Sequence, residues 1–312
     1  MIFTAALSLV CLSGCGAARV NSATAFMMDT VVNIEAECEK GIIDDTLNFC
    51  REYEKKFSRT NKNSEVYALN NSAEQMSVSD DTAYLIRRAL YFSELTGGKF
   101  DITICPVSSL WDFTGDSLPD DNEIKQNLAR VGYEKVSLSG NTVDLGGAQI
   151  DLGAIAKGYI ADKAADYLKK QGVENAVLNF GGNVVVMGDD YYNVGIKSPS
   201  GDGLAAQLRV KNTAVVTSGT YERYIEWQGK RYHHILDPHT GYPVESDIIS
   251  ATVISENSTD ADALSTSCLL LGLNDATALI NGIEGVEAIF ITADGEVHIS
   301  NGIYSEDGYY RL

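Results

Sequence analysis

The sequence contains little positive charge for its length. Its 312 residues include 24 Lys and Arg against 43 Asp and Glu, so the formal net charge is −19. Proteins that bind nucleic acids neutralise phosphates with Lys and Arg and release counterions. This balance therefore argues against nucleic acid as a partner, and equally against electrostatic docking on an anionic lipid surface.

Several familiar binding signatures are missing too. The sequence has neither the G-x-x-x-x-G-K-[ST] phosphate loop nor the G-x-G-x-x-G turn of dinucleotide-binding folds. None of its six cysteines forms a C-x-x-C pair, which argues against structural zinc. Cys38 and Cys50 could form a disulfide in an oxidising compartment, and buried free thiols are the alternative.

One pronounced apolar run stands at the N-terminus, over residues 2–12. It is too short to span a bilayer, and an apolar stretch followed by small residues is typical of a secretory signal. The run ends in a Leu-Ser-Gly-Cys pattern at Cys15 that resembles a bacterial lipobox; a plain signal peptide is the alternative. We expect a lipoprotein signal peptide over residues 1–14, a lipid on Cys15, and a lipidated tether over residues 15–24, polar from Asn21 to Thr24. The location would then be extracytoplasmic and membrane-anchored.

Hydrophobic periodicity predicts helices and strands without regular βαβ alternation. Strands are predicted over 30–37, 176–186 with a break at Gly181 and Gly182, and 248–255. Hairpins are predicted around 228–229, with strands over 221–227 and 231–236, and around 293–295. Helices are predicted over 80–95, 121–131, 155–170 and 260–271, the last capped by Ser258 or Thr259. We predict an α+β fold, with mixed, largely antiparallel sheets and packed helices, in a single domain over residues 25–312.

Two segments carry residue types suited to binding a cation or an anion. Asp262 and Thr266 stand four apart on a predicted helix, so they share a face and offer the hard oxygen ligands that Mg²⁺ prefers. A capping or helix-dipole role is the alternative for Asp262. Residues 150–158 run from a predicted strand into a helix, where small residues and Lys157 favour an anion. A tight turn with a solvated lysine is the alternative there.

Two further segments carry histidines and a glycine-rich turn. Three of the four histidines fall within residues 233–241. In a strand His233 and His234 point to opposite faces, so only one can enter a given pocket and take a proton from a hydroxyl nucleophile. A strand histidine with a satisfied hydrogen bond is the alternative. Residues 96–103 present an aromatic and an acid on a glycine-rich turn, which would hold a flat ligand or simply end a helix.

Together these segments resemble the ApbE family of FAD:protein FMN transferases. The matching stretches follow one another along nearly the whole mature chain: residues 28–32, 57–58, 96–103, 151–158, 179–182, 217–219, 234–241 and 261–266. The resemblance implies a T-fold-like α+β enzyme that takes FAD as substrate and uses Mg²⁺. A Thr or Ser hydroxyl of an extracytoplasmic acceptor flavoprotein would attack the FMN-side phosphorus, AMP would leave, and FMN would stay attached as a phosphoester.

The resemblance also implies roles for individual residues. His234 would deprotonate the acceptor hydroxyl. Asp262 and Thr266 would bind the metal with their side chains and Ala154 with its carbonyl, with Ser265 beside them. The FAD contacts would be Met28, Lys99, Phe100, Asp101, Asp151, Lys157 and, through its backbone, Leu236.

Some features depart from the family pattern or leave the function open. The family often has an aromatic near Thr60 for flavin stacking, whereas this sequence has Arg59 before it and offers Tyr67 as a conceivable substitute; Lys99 also replaces a commoner small residue. The acceptor motif resembles Asp-Gly-x-Thr/Ser-Gly-Ala-Thr/Ser, which this chain does not contain, so it is not expected to be its own substrate. Two alternative functions are Mg²⁺-dependent hydrolysis of FAD to FMN and AMP, and non-catalytic FAD binding by a lipoprotein.

Overall fold

The structure is a computed structural model that describes residues 20–115, 117–201 and 203–312. The α-helices in these ranges are α1 (Lys40–Phe57), α2 (Glu65–Asn70), α3 (Asp80–Leu95), α4 (Cys105–Ser108), α5 (Asp121–Leu128), α6 (Ala156–Lys170), α7 (Ser258–Leu271) and α8 (Leu273–Asn281). Short 3₁₀-helices cover Ile102–Ile104 and Tyr133–Lys135.

The strands in the same ranges are short, and most pair with neighbours in antiparallel fashion. They are β1 (Val20–Met27), β2 (Thr30–Glu37), β3 (Met76–Ser77), β4 (Ser137–Ser139), β5 (Thr142–Asp144), β6 (Ala176–Phe180), β7 (Asn183–Met187), β8 (Tyr192–Lys197), β9 (Leu204–Val210), β10 (Thr213–Gly219), β11 (Tyr224–Trp227), β12 (Lys230–His233), β13 (Ile248–Ser255), β14 (Glu287–Thr292), β15 (Val297–Ile299), β16 (Tyr304–Glu306) and β17 (Tyr309–Arg311).

An eight-stranded sheet forms the centre of the described structure, in the order β1-β2-β6-β7-β10-β13-β14-β15. One face packs against α1, α6, α7 and α8 in a core that includes Ile34, Phe180 and Leu264. The alternate residues of β7, β10, β13 and β14 face a four-stranded sheet, β16-β17-β9-β8, across a second apolar cluster. Because both faces of these strands are covered, their sequences are nearly continuously apolar, as in Val215 and Val216.

This architecture confirms the predicted α+β class with largely antiparallel sheets. Only β17 and β9 pair in parallel within the described residues. A three-stranded sheet, β3-β5-β4, and the β11–β12 hairpin complete the fold. None of the helices in the described ranges is long and apolar enough to cross a bilayer.

The predicted polar tether over Asn21 to Thr24 is wrong for these residues. They lie in strand β1, which pairs residue by residue with β2 from Val20 to Met27. The strand forms because alternate side chains such as Ala25 and Met27 are buried while those between them face outward. The predicted signal peptide and Cys15 lie outside the described residues.

Three boundaries also differ from the sequence prediction. Helix α7 is capped by Asn257, whose side chain accepts from Asp260 N, and not by Ser258 or Thr259. Both of those residues lie in the first turn, where the carboxylate of Asp162 accepts from their N–H groups at 2.9 and 2.8 Å. The first N–H groups of this helix are thus satisfied by the local cap Asn257 and by the distant carboxylate of Asp162 together. Helix α5 ends at residue 128 rather than 131, and strand β12 ends at residue 233 rather than 236.

The cysteines of the described residues are free thiols: Cys38, Cys50, Cys105 and Cys268. The disulfide alternative for Cys38 and Cys50 is therefore not formed in this structure. Burial raises the pKa of the Cys50 thiol to about 12, so it stays protonated.

Candidate active site

Two turns and the end of strand β10 meet at one end of the eight-stranded sheet. The β1–β2 turn places Met28 and Asp29 at φ +52° and +56°, a left-handed conformation that ordinary side chains rarely adopt. The neighbouring β6–β7 turn contains Gly181, and a Cβ there would stand 1.9 Å from Thr30 Oγ1. Thr217, near the end of β10, donates its N–H to Gly182 O at 3.0 Å. Glycine is therefore required at position 181, where the two turns approach each other closely.

Lys157 connects the helices to these turns. Its Nζ lies 3.4 Å from Asp262 Oδ1 on α7 and donates to Asn183 Oδ1, just after the glycine turn, at 3.3 Å. The side chain of Asp262 is only 2% exposed, whereas that of Lys157 is 26% exposed. Lys157 thus offers a reachable positive charge beside a buried carboxylate, an arrangement that suits an anionic ligand.

The first turn of α6 departs from regular helical bonding at the same place. In a continuous helix the N–H of Gly158 would bond to the carbonyl of Ala154. Here Gly158 N donates to Asp262 Oδ2 at 2.9 Å. The carbonyl oxygen of Ala154 is therefore left to other ligands, close to the carboxylate that displaced it.

A cluster of hydroxyls adjoins Asp262. Ser265 Oγ donates to the carbonyl of Asp262 at 2.9 Å. Ser218 Oγ, on β10, lies 2.8 Å from Ser265 Oγ and 3.4 Å from Thr266 Oγ1. The structure thus brings the four predicted metal-binding residues into one region and adds Ser218, for which the sequence analysis assigned no role.

This donor set fits Mg²⁺. The available groups are one carboxylate, hydroxyls and a backbone carbonyl, which are hard oxygen donors. Within residues 20–115, 117–201 and 203–312, no group of three or more His, Cys, Asp and Glu side chains could hold a metal ion. A cation here would complete its shell with water and substrate oxygens, as Mg²⁺ commonly does and zinc in structural sites does not.

His234 follows strand β12 and is held by the backbone of Arg223. The backbone N–H of His234 donates to Arg223 O at 3.1 Å, and the ring nitrogen Nδ1 lies 3.2 Å from the same oxygen. Because a carbonyl can only accept, Nδ1 carries the ring proton and Nε2 keeps its lone pair. Burial and the positive charges of Arg223 and Lys157 lower the pKa of His234 to about 4. The ring is therefore neutral at pH 7 and can accept a proton.

The neighbouring histidines have other partners. His233 Nε2 lies 3.1 Å from Val244 O, so its ring ties β12 to the following segment. His239 is exposed, and its Nδ1 lies 3.1 Å from Asp237 Oδ1. The expectation that only one of the adjacent pair is available for chemistry agrees with this geometry.

Three of the predicted FAD contacts, Met28, Lys99 and Leu236, lie at two places in the structure. Met28 sits in the β1–β2 turn, where its N–H donates to Glu54 Oε1 at 2.5 Å. Lys99 Nζ lies 3.2 Å from Asp237 Oδ2, next to Leu236. The side chain of Leu236 is buried, so a ligand would meet its backbone, as the resemblance implied.

The side chains of Phe100 and Asp101, two predicted FAD contacts, already have partners within the fold. The Phe100 ring is only 2% exposed and packs edge-on against Phe92, with ring centroids 6.4 Å apart. The carboxylate of Asp101 accepts from Thr103 N, Thr103 Oγ1 and Tyr133 N at 2.6 to 2.9 Å. Because the core holds the Phe100 ring, a ligand would meet this residue through its backbone, and its assignment as an FAD contact stays a prediction.

Asp151 has a partner that the sequence analysis did not anticipate. Its Oδ2 lies 3.0 Å from Arg59 Nε, and its Oδ1 accepts from Gly153 N at 2.9 Å. Arg59 Nη1 also donates to Ser109 Oγ at 2.5 Å. Arg59 precedes the position where an aromatic residue was expected, so a guanidinium, rather than a ring, stands beside this predicted FAD contact.

The close packing of α6 against α7 yields a stability prediction. A Cβ on Gly158 would stand 2.1 Å from Ser258 O and 2.8 Å from Asp262 Cβ. Gly158→Ala must therefore push the two helices apart, and we expect a loss of about 1–3 kcal/mol of unfolding free energy. Urea denaturation would measure it.

Gly41 provides the matched control for this prediction. It also lies in a first helical turn, but a Cβ there meets no atom within 4 Å. Gly41→Ala should leave stability unchanged or raise it by up to about 1 kcal/mol. Equal stabilities for the two variants would contradict the packing argument.

Comparisons with a family model, with curated relatives and with solved structures all find similar proteins. The model of the ApbE family matches residues 28–290. A FAD:protein FMN transferase from Klebsiella pneumoniae is 36% identical over 294 residues, covering 91% of this chain and 92% of the relative. One from Treponema pallidum is 36% identical over 288 residues, covering 84% and 80%. The crystal structure of the ApbE protein from Thermotoga maritima superposes with a TM-score of 0.83 at 34% identity, covering 91% of this chain and 98% of that one.

Proposed function

The chain belongs to the ApbE family, and from this premise we propose that it transfers the FMN part of FAD to a protein hydroxyl. In the proposed reaction a Thr or Ser of an acceptor flavoprotein attacks the FMN-side phosphorus of FAD, AMP leaves, and Mg²⁺ is required. Family membership agrees with the predicted transferase class of enzyme.

One observation carries the proposal. The contacts from Asp262 through Lys157 to Asn183 join α7, α6 and the glycine turn at one point. His234, with a free Nε2, stands near enough for the charge of Lys157 to lower its pKa. A carboxylate, an ammonium and a neutral imidazole together provide what attack on a pyrophosphate needs: charge neutralisation and a proton acceptor.

Each side chain has a distinct part in this proposal. Asp262, Thr266 and the carbonyl of Ala154 would hold Mg²⁺, which supplies charge neutralisation at the phosphoryl oxygens when bound. Lys157 would bind a phosphate oxygen through its exposed Nζ. Nε2 of His234 would take the proton of the acceptor hydroxyl, because the carbonyl of Arg223 keeps the other ring nitrogen protonated.

The test uses the protein with FAD, Mg²⁺ and an acceptor domain that carries the Asp-Gly-x-Thr/Ser-Gly-Ala-Thr/Ser-like motif. We expect flavin fluorescence on the acceptor after denaturing electrophoresis, an added FMN by mass spectrometry, and release of AMP. An acceptor whose Thr or Ser is replaced by Ala should gain nothing. Free FMN without labelled acceptor would indicate hydrolysis, and unchanged FAD would indicate a non-catalytic binding protein; either result would contradict the proposal.

We also propose that the protein is an extracytoplasmic lipoprotein anchored through Cys15. The support is the lipobox-like pattern after the apolar run of residues 2–12. In a bacterial host with lipoprotein processing, Cys15→Ser should move the protein from the membrane fraction to the soluble fraction. Transfer activity in solution should not change, because the described fold begins after this residue. Retention of the variant in the membrane fraction would contradict the anchor.

A further inference from the structure

Glu222 is a carboxylate beside the candidate cation site that the proposed reaction does not use. It lies between Tyr221, whose hydroxyl is 3.3 Å from Ser250 Oγ, and Arg223, whose carbonyl accepts the N–H of His234. Both neighbours are anchored to other strands or segments. The fold therefore sets the position of Glu222, although the residue lies between two strands.

The carboxylate faces the glycine turn and the charges around it. Glu222 Oε1 lies 3.9 Å from the point where a Cβ on Gly182 would stand. Although much of Glu222 is exposed, desolvation of its carboxylate raises its pKa, the charge of Asp262 adds to that rise, and the charges of Lys157, Arg223 and Lys197 oppose it. With the rest of the described chain this carboxylate forms no hydrogen bond or ion pair.

A cation bound at Asp262 would compete with the ammonium of Lys157 for the same carboxylate oxygen. Asp262 Oδ2 is held by the N–H of Gly158, so Oδ1, the oxygen next to Lys157 Nζ, is the one left for a metal. A divalent cation and an ammonium on one oxygen repel each other strongly where water is scarce. The ammonium must therefore leave Asp262, while Asn183 Oδ1 can remain its partner.

We propose that Glu222 is a positioning residue that receives the ammonium of Lys157 when a divalent cation occupies Asp262. Lys157 would then be held between Asn183 and Glu222, available to a phosphate oxygen. The inference rests on the proposed function, because it assumes the cation site at Asp262. Without the carboxylate of Glu222, Lys157 stays on Asp262 and competes with the cation.

The experiment measures Mn²⁺ binding by electron paramagnetic resonance of the free ion, without FAD or acceptor. We expect Glu222→Gln to weaken Mn²⁺ binding by about tenfold, the lower end of the loss seen when residues supporting metal ligands are removed. Glu226→Gln is the matched control, because Glu226 is exposed and pairs with Arg231 at 3.0 Å on the β11–β12 hairpin. Its Mn²⁺ affinity should equal that of the wild type.

A double-mutant cycle tests the route through Lys157. In a Lys157→Met background the competing ammonium is gone, so adding Glu222→Gln should change Mn²⁺ affinity by less than about twofold. A tenfold loss in both backgrounds would show that Glu222 acts on the cation itself and would overturn the proposal. Thermal melting of all four proteins establishes that each is folded.

Asp262→Ala separates failure of this inference from failure of the proposed function. If that variant binds Mn²⁺ as the wild type does, the cation site is wrong and the inference falls with it. If Asp262→Ala loses Mn²⁺ whereas Glu222→Gln binds it normally, only the role of Glu222 is overturned.

Discussion

Asp262→Ala is expected to lower flavin transfer by at least about 10²–10³-fold, the loss typical of removing a group that stabilises transition-state charge. The variant removes the only carboxylate among the candidate ligands, leaves Gly158 N–H without its partner and leaves Lys157 Nζ with Asn183 Oδ1 alone. Raising the Mg²⁺ concentration should not restore the rate, since the remaining hydroxyls and carbonyl carry no charge. Labelling of the acceptor over a Mg²⁺ titration measures this.

Asp260→Asn is the control for that variant. Asp260 lies on the same helix, but its carboxylate pairs with Arg88 at 2.6 Å, away from the glycine turn. The loss of a partly exposed ion pair should cost at most about 1 kcal/mol of stability and leave the Mg²⁺ dependence unchanged. If Asp262→Ala transferred FMN at the wild-type rate, the assignment of the cation site to α7 would be wrong.

The second large effect is expected at His234. His234→Ala should slow transfer by about 10²–10⁴-fold, the usual contribution of a general base. FAD should still bind with nearly wild-type affinity, because the ring is assigned to the acceptor hydroxyl and not to FAD. Titration of the flavin fluorescence measures binding, and acceptor labelling measures transfer.

His233→Gln is the control for His234→Ala. It changes the adjacent ring that contacts Val244 O, so it should lower the melting temperature while transfer continues. Wild-type transfer by His234→Ala, or a loss in His233→Gln of the same size, would remove His234 from the mechanism.

The pH dependence of transfer is a further consequence of the environment of His234. Its pKa is lowered to about 4 by burial and by neighbouring positive charge, below the usual value of about 6.5. The base is the neutral ring, so His234 stays competent as pH falls and loses this role only as pH passes through about 4. We expect no decline in kcat/KM centred near pH 6.5. A decline there that disappears in His234→Ala would contradict the assigned environment.

Much of the fold followed from local patterns. Alternation in residues 30–37 predicted β2, residues 248–255 were also predicted as a strand, and both β2 and β13 are present at those residues. The same periodicity failed for residues 21–24. Their polar side chains suggested a tether, but only alternate positions of β1 need to be apolar when one face of a strand is exposed.

The candidate site was partly predictable for the same reason. The four-residue spacing of Asp262 and Thr266 requires only a helix, and α7 contains both. The partners of Asp262 could not be predicted from the sequence, because Lys157 and Gly158 are more than a hundred residues away along the chain. The ion pair between Arg59 and Asp151 and the burial of the Phe100 ring were hidden for the same reason.

Composition, periodicity and motif order were thus enough to establish the class of fold, the family resemblance and the residue types available for chemistry. These properties depend on neighbours within a few positions along the chain, where spacing alone sets which side chains share a face. The packing of α6 against α7 decides which oxygen of Asp262 accepts from Gly158 and why the carbonyl of Ala154 is available. The packing of His234 against Arg223 decides which ring nitrogen keeps its lone pair. Contacts between distant segments form only when the whole chain folds, and no local pattern encodes them.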